Sequence, residues 1–184
     1  PPVIIGVGRL TAQKDFMTLV KAFSLLRKKR NIRLVILGEG KNRNKISTLI
    51  QELGLVDDIE MPGYVDNPMA WMARASVFCL SSIWEGLPGV LIEAMATGCP
   101  VVSTDCPGGA SEILKNGKYG PLVQPGDEKA LAVAISTVLD APIDREILKL
   151  RAADFSVENA INGYLDAVSY THLRAHETPE HLVC

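Results

Sequence analysis

A regular alternation of short apolar runs with segments of helical periodicity constrains the fold of this chain most strongly. The apolar runs are residues 3–8, 33–37, 59–61, 77–80, 100–103 and 121–123. Between them, apolar residues recur at helical spacing, as in Phe16, Leu19 and Phe23. Short, continuously apolar strands separated by helices are typical of a parallel sheet that is covered on both faces. We therefore predict an α/β fold, a Rossmann-like parallel sheet of about six strands with helices on both faces.

Composition excludes several classes of partner. The chain has 184 residues, of which 47% are hydrophobic and 22% charged, and its formal net charge is -2. This length suits one well-buried domain, and the charge does not favour nucleic acid as a partner. No apolar run approaches the length of a membrane span, so we expect no transmembrane segment.

The two ends of the chain look different from its body. The chain starts at Pro1 without an initiator Met or a signal-peptide pattern, so we expect an internal fragment. From Val168 onward it resembles a translated sequencing adapter, and we predict a domain over residues 1–167 and a non-native tail over 168–184. All three histidines lie in that tail. A body without histidine excludes Ser-His and Cys-His catalysis and argues against zinc.

The segment 81–94 carries the densest functional signal. Glu85 and Glu93 flank a Gly/Pro turn that follows a buried strand and opens a helix, with Pro88 in its first turn. A helix N-terminus at the carboxyl end of a strand suits a phosphate, and Gly86 and Gly89 permit close approach to the backbone. Carboxylates accept hydrogen bonds from sugar or ribose hydroxyls. The segment therefore has groups for both a phosphate and a polyol.

Two cations follow the first apolar run. Arg9 offers a planar fork of donors and Lys14 a point charge, a combination that suits a diphosphate. Solvated cations on a surface loop are the alternative, and the sequence alone leaves both readings open.

Other motifs are weaker. Gly6 and Gly8 form half of a dinucleotide fingerprint, but Thr11 replaces its third glycine. Residues 38–41 lack the spacing of a Walker motif, and the different local structures predicted for the two glutamates disfavour a glycosidase pair. The loop 105–109 is either a turn with a buried thiol or part of a site. We expect Cys79, Cys99 and Cys106 to be buried, reduced thiols, with a disulfide as the minority alternative.

Taken together, these motifs resemble the C-terminal nucleotide-sugar-binding domain of a GT-B-fold retaining glycosyltransferase, of the group often called family 4 or glycosyl transferases group 1. The resemblance covers about residues 3–167. It rests on the order and spacing of Gly8-Arg9-Leu10, Lys14-Asp15-Phe16, Gly38-Glu39-Gly40, Pro62-Gly63-Tyr64-Val65, the segment from Ser81 to Val102 with its E-x7-E signature, and the segment 104–114.

The resemblance implies a role for each matching residue. Arg9 and Lys14 would bind the donor diphosphate, and Glu85 would contact the transferred sugar as the catalytic residue. Glu93 would hold the ribose hydroxyls. Backbone N–H groups would face the phosphates over the turn that contains Gly86, Leu87, Gly89 and Val90. The resemblance implies no metal and no cofactor, with the nucleotide sugar as co-substrate.

The same resemblance implies partners beyond the residues of this chain. An N-terminal GT-B domain would supply acceptor contacts, so we expect weak donor binding without transfer. The expected donor is a UDP-sugar, with GDP and ADP donors open, and the acceptor a saccharide or lipid-linked sugar. We expect a cytoplasmic enzyme, with peripheral attachment at the inner membrane face as an open alternative. An epimerase or phosphorylase of the same fold and a non-catalytic nucleotide-binding domain are the competing interpretations.

Overall fold

The computed structural model describes residues 1–156, which fold around one parallel sheet. The strands lie in the order β3-β2-β1-β4-β5-β6, and every neighbouring pair is parallel. Their bounds are β1 Val3–Val7, β2 Arg33–Leu37, β3 Ile59–Gly63, β4 Val77–Leu80, β5 Val101–Thr104 and β6 Leu122–Val123. The predicted six-stranded, Rossmann-like α/β fold is confirmed.

Helices cover both faces of the sheet. Their bounds are α1 Phe16–Arg27, α2 Arg43–Glu52, α3 Pro68–Met72, α4 Gly89–Ala96, α5 Ala110–Ile113, α6 Glu128–Asp140 and α7 Arg145–Ala153. One core cluster contains residues of α1, α2 and α6, and the other contains residues of α3, α4, α5 and α7. The predicted helix over residues 157–167 and the tail with its histidines lie outside the described residues. In the described part, no helix has the length and apolar character needed to span a bilayer.

Helix α1 begins after a polar cap, whereas α4 begins after a proline that makes no side-chain capping hydrogen bond. Asp15 caps α1 from a left-handed conformation (φ 43°), and its carboxylate accepts hydrogen bonds from the Thr18 backbone and hydroxyl. Pro88 stands at the N-cap of α4 and outside the first turn predicted for it. Gly98, with φ +74°, follows α4 in the left-handed conformation that ends many helices. Local capping chemistry thus adjusts element boundaries without changing the order of elements.

The three cysteines of the described region are free and buried, as predicted. Cys79 packs in the core cluster beside α1 and α6, whereas Cys99 and Cys106 pack in the cluster on the opposite face. Burial raises the pKa of the Cys99 thiol to about 12, and it also raises the pKa of Cys79. Neutral thiols in a packed core serve as small apolar side chains.

The strand order reverses between β1 and β4. The chain leaves β1 toward α1 on one face and leaves β4 toward α4 on the other. In open parallel sheets, a crevice forms at such a switch point, outside the carboxyl ends of the strands. The loops 8–15 and 81–88 both begin at this edge.

Candidate functional site

The loops that follow β1 and β4 are joined by direct hydrogen bonds. The Ile83 amide donates to the Gln13 carbonyl at 2.8 Å, and the Gln13 side-chain amide donates to the Trp84 carbonyl at 3.0 Å. The Ser81 hydroxyl donates to the Lys14 carbonyl at 2.8 Å. These bonds place the predicted cation loop and the predicted carboxylate loop against each other.

Glu85 is the most buried acidic group of this crevice. Its side chain is only 7% exposed, and the Lys14 Nζ lies 2.5 Å from its Oε1. The Ser82 hydroxyl donates to the same oxygen at 2.5 Å, and the Glu85 amide donates to the Pro107 carbonyl. Lys14 and Glu85, predicted to contact the diphosphate and the sugar, respectively, form an ion pair because their two loops are in contact.

Three cations line one cavity of about 550 Å³ beside this pair. Arg9, Lys14 and Lys41 contribute to its wall together with Trp84. Arg9 and Lys41 are exposed and form no ion pair with any residue in the range 1–156. A cavity with excess positive charge suits a polyanion such as a diphosphate.

Lys41 was not predicted as a site residue, because the segment 38–41 was considered as a Walker motif and rejected. The loop after β2 packs directly on the loop after β1: the Leu10 amide donates to the Glu39 carbonyl, and the Asn42 amide donates to the Leu10 carbonyl. A side chain at Gly40 would collide with the Leu10 backbone. The glycine before Lys41 was therefore the available signal of a close backbone approach.

A second cavity, of about 440 Å³, adjoins the first through Arg9, which lines both. It lies at the carboxyl ends of β1, β2 and β3, and its wall is largely apolar. The lining residues are Val7, Gly8, Arg9, Leu37, Gly38, Glu39, Tyr64, Val65 and Pro68. An apolar slot beside a cationic cavity has the amphipathic character of a nucleotide.

The two glutamates beside the turn into α4 have the local structures that were predicted for them. Glu85 lies in the loop, and Glu93 lies exposed within α4. The Gly89 amide, however, donates to the Leu87 carbonyl at 2.9 Å, so it is engaged inside the turn. Among residues 1–156, nothing accepts a hydrogen bond from the amides of Gly86, Leu87 and Val90. A bound phosphate could therefore accept hydrogen bonds from those three N–H groups, but the Gly89 amide, which was also predicted to face the phosphates, is already engaged.

The loop 105–109, which the sequence left open, supports this turn. The Gly109 amide donates to the Gly86 carbonyl, and a side chain at Gly108 would collide with the carbonyl oxygens of Glu85 and Gly86. Burial raises the pKa of the Cys106 thiol. The negative charge of Glu85 also raises this pKa, whereas a hydrogen bond with Thr104 lowers it. A neutral thiol is a poor nucleophile, so the loop serves as a support.

No group of three or more His, Cys, Asp or Glu side chains is arranged for a metal ion in the part of the chain that the structure describes. The positive groups of the site are side chains and backbone amides. That the chemistry needs no metal stays a prediction.

The fold is a Rossmann-like α/β domain of the kind found in GT-B glycosyltransferases. The profile of the family described as glycosyl transferases group 1 matches residues 1–155. The chain belongs to this family.

Known relatives agree with that assignment. Over 149 residues the chain is 36% identical to an N-acetylgalactosaminyltransferase of Campylobacter jejuni that acts on a diphospho-undecaprenol-linked sugar, covering 81% of this chain and 40% of that protein. The apo structure of the lipopolysaccharide outer core galactosyltransferase WaaB superposes with a TM-score of 0.82 at 26% identity, covering 93% of this chain and 50% of WaaB.

A third relative has been solved with ligands. Anabaena HepE, in complex with UDP and glucose, matches with a TM-score of 0.82 at 23% identity, covering 91% of this chain and 48% of HepE. At this identity the match bears on the fold alone. By these coverages, the chain spans about 40–50% of the length of the three proteins.

Proposed function

We propose that this chain is the donor-binding half of a retaining glycosyltransferase that uses a nucleoside diphosphate sugar, with a UDP-sugar as the expected donor. The observation that carries the proposal is a cavity at the carboxyl ends of β1, β2 and β4. Arg9, Lys14 and Lys41 line it, and Lys14 pairs with Glu85. HepE of the same fold was solved with UDP and glucose. The named relatives transfer sugars to lipid-linked or lipopolysaccharide acceptors, and we propose an acceptor of that class here.

The two adjoining cavities suggest how the donor is arranged. The uracil ring enters the apolar slot near Val65, the diphosphate lies by Arg9 and the free amides of the α4 turn, and the sugar lies by Glu85. Glu93, exposed on α4, accepts hydrogen bonds from the ribose hydroxyls. Each contact follows from matching apolar, cationic and carboxylate groups to the parts of the donor.

The chemistry follows from where charge develops. As the glycosidic bond breaks, the diphosphate gains negative charge, and fixed cations and amides at that point stabilise the transition state more than the ground state. The anomeric carbon becomes oxocarbenium-like, and a nearby carboxylate such as Glu85 stabilises it. We propose that a further domain supplies the acceptor contacts and closes the cleft. The exposed Tyr64, Trp84 and Leu87 at this edge offer apolar surface for it.

Titration calorimetry with UDP tests the proposal. We expect wild-type binding that persists in EDTA, and a loss on the order of tenfold or more for Arg9→Ala and for Glu93→Ala, since each removes charge-assisted hydrogen bonds. Glu52→Ala, which removes an exposed glutamate at the end of α2, is the matched control and should bind like wild type. Unchanged affinity in Glu93→Ala would favour a non-catalytic nucleotide-binding domain of different geometry.

A further inference from the structure

Ser82 is a fully buried residue whose hydroxyl donates a hydrogen bond to Glu85. Its exposure is 0%, and its Oγ donates to Glu85 Oε1 at 2.5 Å. The same oxygen receives the Lys14 ammonium at 2.5 Å. One carboxylate oxygen is therefore held by two donors from two different loops.

The backbones of both donor residues, Lys14 and Ser82, are hydrogen-bonded to hydroxyl groups that follow β4 or end β5. The Thr104 hydroxyl, at the end of β5 and fully buried, donates to the Ser82 carbonyl at 2.6 Å. The Ser81 hydroxyl donates to the Lys14 carbonyl at 2.8 Å. The backbones that carry the two donors to Glu85 Oε1 are thus held by buried hydroxyl groups that follow β4 and end β5.

The other carboxylate oxygen is differently placed. Glu85 Oε2 accepts no hydrogen bond from any residue in the described range, so its lone pairs remain for a ligand. We propose that Ser82 is a positioning residue: by holding Oε1, its hydroxyl orients the Glu85 carboxylate so that Oε2 faces the donor sugar. This inference rests on the proposed function in placing the sugar at Glu85.

Lys14 alone would orient the carboxylate less well. An ammonium is a point charge with rotatable donors, and it tolerates many carboxylate orientations. The Ser82 hydroxyl has a single proton to donate, and in the structure that proton is donated to Glu85 Oε1. Removing the Ser82 hydroxyl should therefore leave the ion pair but free the carboxylate to rotate, which weakens contacts to the sugar and not those to UDP.

The test compares four forms of the protein: wild type, Ser82→Ala, Ser82→Thr and Ser103→Ala. Ser103 is the matched control, because it is also fully buried at the end of a strand but donates to the Thr104 carbonyl. For each form, calorimetry measures the Kd of UDP and of UDP-glucose, UDP-galactose, UDP-N-acetylglucosamine and UDP-N-acetylgalactosamine. Thermal unfolding of each form verifies that it is folded.

We expect Ser82→Ala to keep its UDP affinity within about twofold of wild type and to lose on the order of tenfold for the UDP-sugar that wild type prefers. Ser82→Thr, which keeps the hydroxyl, should retain the wild-type ratio of the Kd for UDP to the Kd for the preferred UDP-sugar. Ser103→Ala should leave the same ratio unchanged. An unchanged ratio in Ser82→Ala, or an equal loss in Ser103→Ala, overturns the inference.

Crystal structures of wild type and Ser82→Ala separate this inference from the proposed function. If wild type bound no UDP, the proposed function would fail, yet the carboxylate could still be examined directly. A Glu85 carboxylate that turns away from its wild-type orientation in Ser82→Ala supports the positioning role. A carboxylate that stays in place overturns it.

Discussion

Individual side chains in the cavity leave it with an excess of positive charge. Lys14 is paired with Glu85, whereas Arg9 and Lys41 face the same cavity without an ion pair in the described range. Because Lys14 is partly neutralised, the two unpaired cations would contribute most of the attraction for the proposed diphosphate. Lys41 should therefore share the work that the sequence analysis assigned to Arg9 and Lys14.

Replacement of Lys41 by Gln should weaken UDP binding about threefold to tenfold, the range expected for one partly exposed charge on a phosphate. Lys29→Gln is the matched control, because Lys29 is also an exposed lysine but follows α1 at the opposite edge of the sheet. Calorimetry at low and high salt measures both variants. A Lys41→Gln affinity equal to that of Lys29→Gln at low salt would contradict the charge assignment.

At this scale the sequence selected candidate residues but not the contacts between them. Residue type and spacing singled out Arg9, Glu85 and Glu93, since a carboxylate beside a Gly/Pro turn is a local pattern. The pairing of Lys14 with Glu85 spans 71 positions, and the Ser82 hydroxyl bond depends on rotamers. Neither is encoded in periodicity, so neither could be predicted from one sequence.

Among the elements, the loops at the carboxyl ends of β1, β2, β4 and β5 act as one unit. The alternation of apolar runs predicted the strands and helices, because burial on both faces of a parallel sheet imposes it. The order of the strands depends on which face of the sheet each connecting helix packs against. No local sequence pattern indicates that choice. The support of the α4 turn by the loop 105–109 likewise appeared only in the folded chain, where Gly109 bonds to Gly86.

The Gly108→Ala substitution tests that support. Gly108 has φ +124°, and an added Cβ would meet the carbonyl oxygens of Glu85 and Gly86. Gly126→Ala is the matched control, because Gly126 also has a positive φ (+78°) but no atom within 4 Å of an added Cβ. We expect Gly108→Ala to lower the free energy of unfolding by about 2 kcal/mol more than Gly126→Ala does, as overpacking predicts.

Urea unfolding measures both glycine variants, and UDP titration measures the consequence for the site. Gly108→Ala should also weaken UDP binding, because the clash displaces the turn that bears the free amides. Equal destabilisation in the two variants would mean that backbone strain alone governs both positions and that the two loops are not tightly packed.

The whole molecule depends on two packed cores, one on each face of the sheet, and buried thiols lie in both. The titration of these thiols reports on whether the cores are intact. Desolvation raises the pKa of Cys99 from 9.0 to about 12. A folded-state pKa above the unfolded value means that the folded chain binds the proton more tightly. The resulting stabilisation is complete below about pH 9 and is lost as the pH rises toward about 12.

Comparison of wild type with Cys99→Ala isolates this effect from other alkaline titrations. The excess stability of wild type over the variant should shrink by on the order of 2 kcal/mol between neutral pH and about pH 10.5, near 1.4 kcal/mol per pH unit above 9. Urea unfolding under reducing conditions at each pH measures it. A pH-independent difference between the two proteins would show that the thiol does not titrate differently on unfolding.

Residues 1–156 form one wall of the proposed cleft at the carboxyl ends of the strands, and the chain spans about 40–50% of the length of its relatives. Transfer requires an aligned acceptor and exclusion of water, and both depend on closure of the cleft. We therefore expect this polypeptide alone to bind UDP and to transfer no sugar. Incubation with radiolabelled UDP-sugars and a mixture of saccharide and lipid-linked acceptors checks this, with UDP calorimetry on the same sample as the control for folding. Product formed in amounts equal to the protein would contradict the expectation, because the residues described here would then suffice for acceptor binding as well as for the donor.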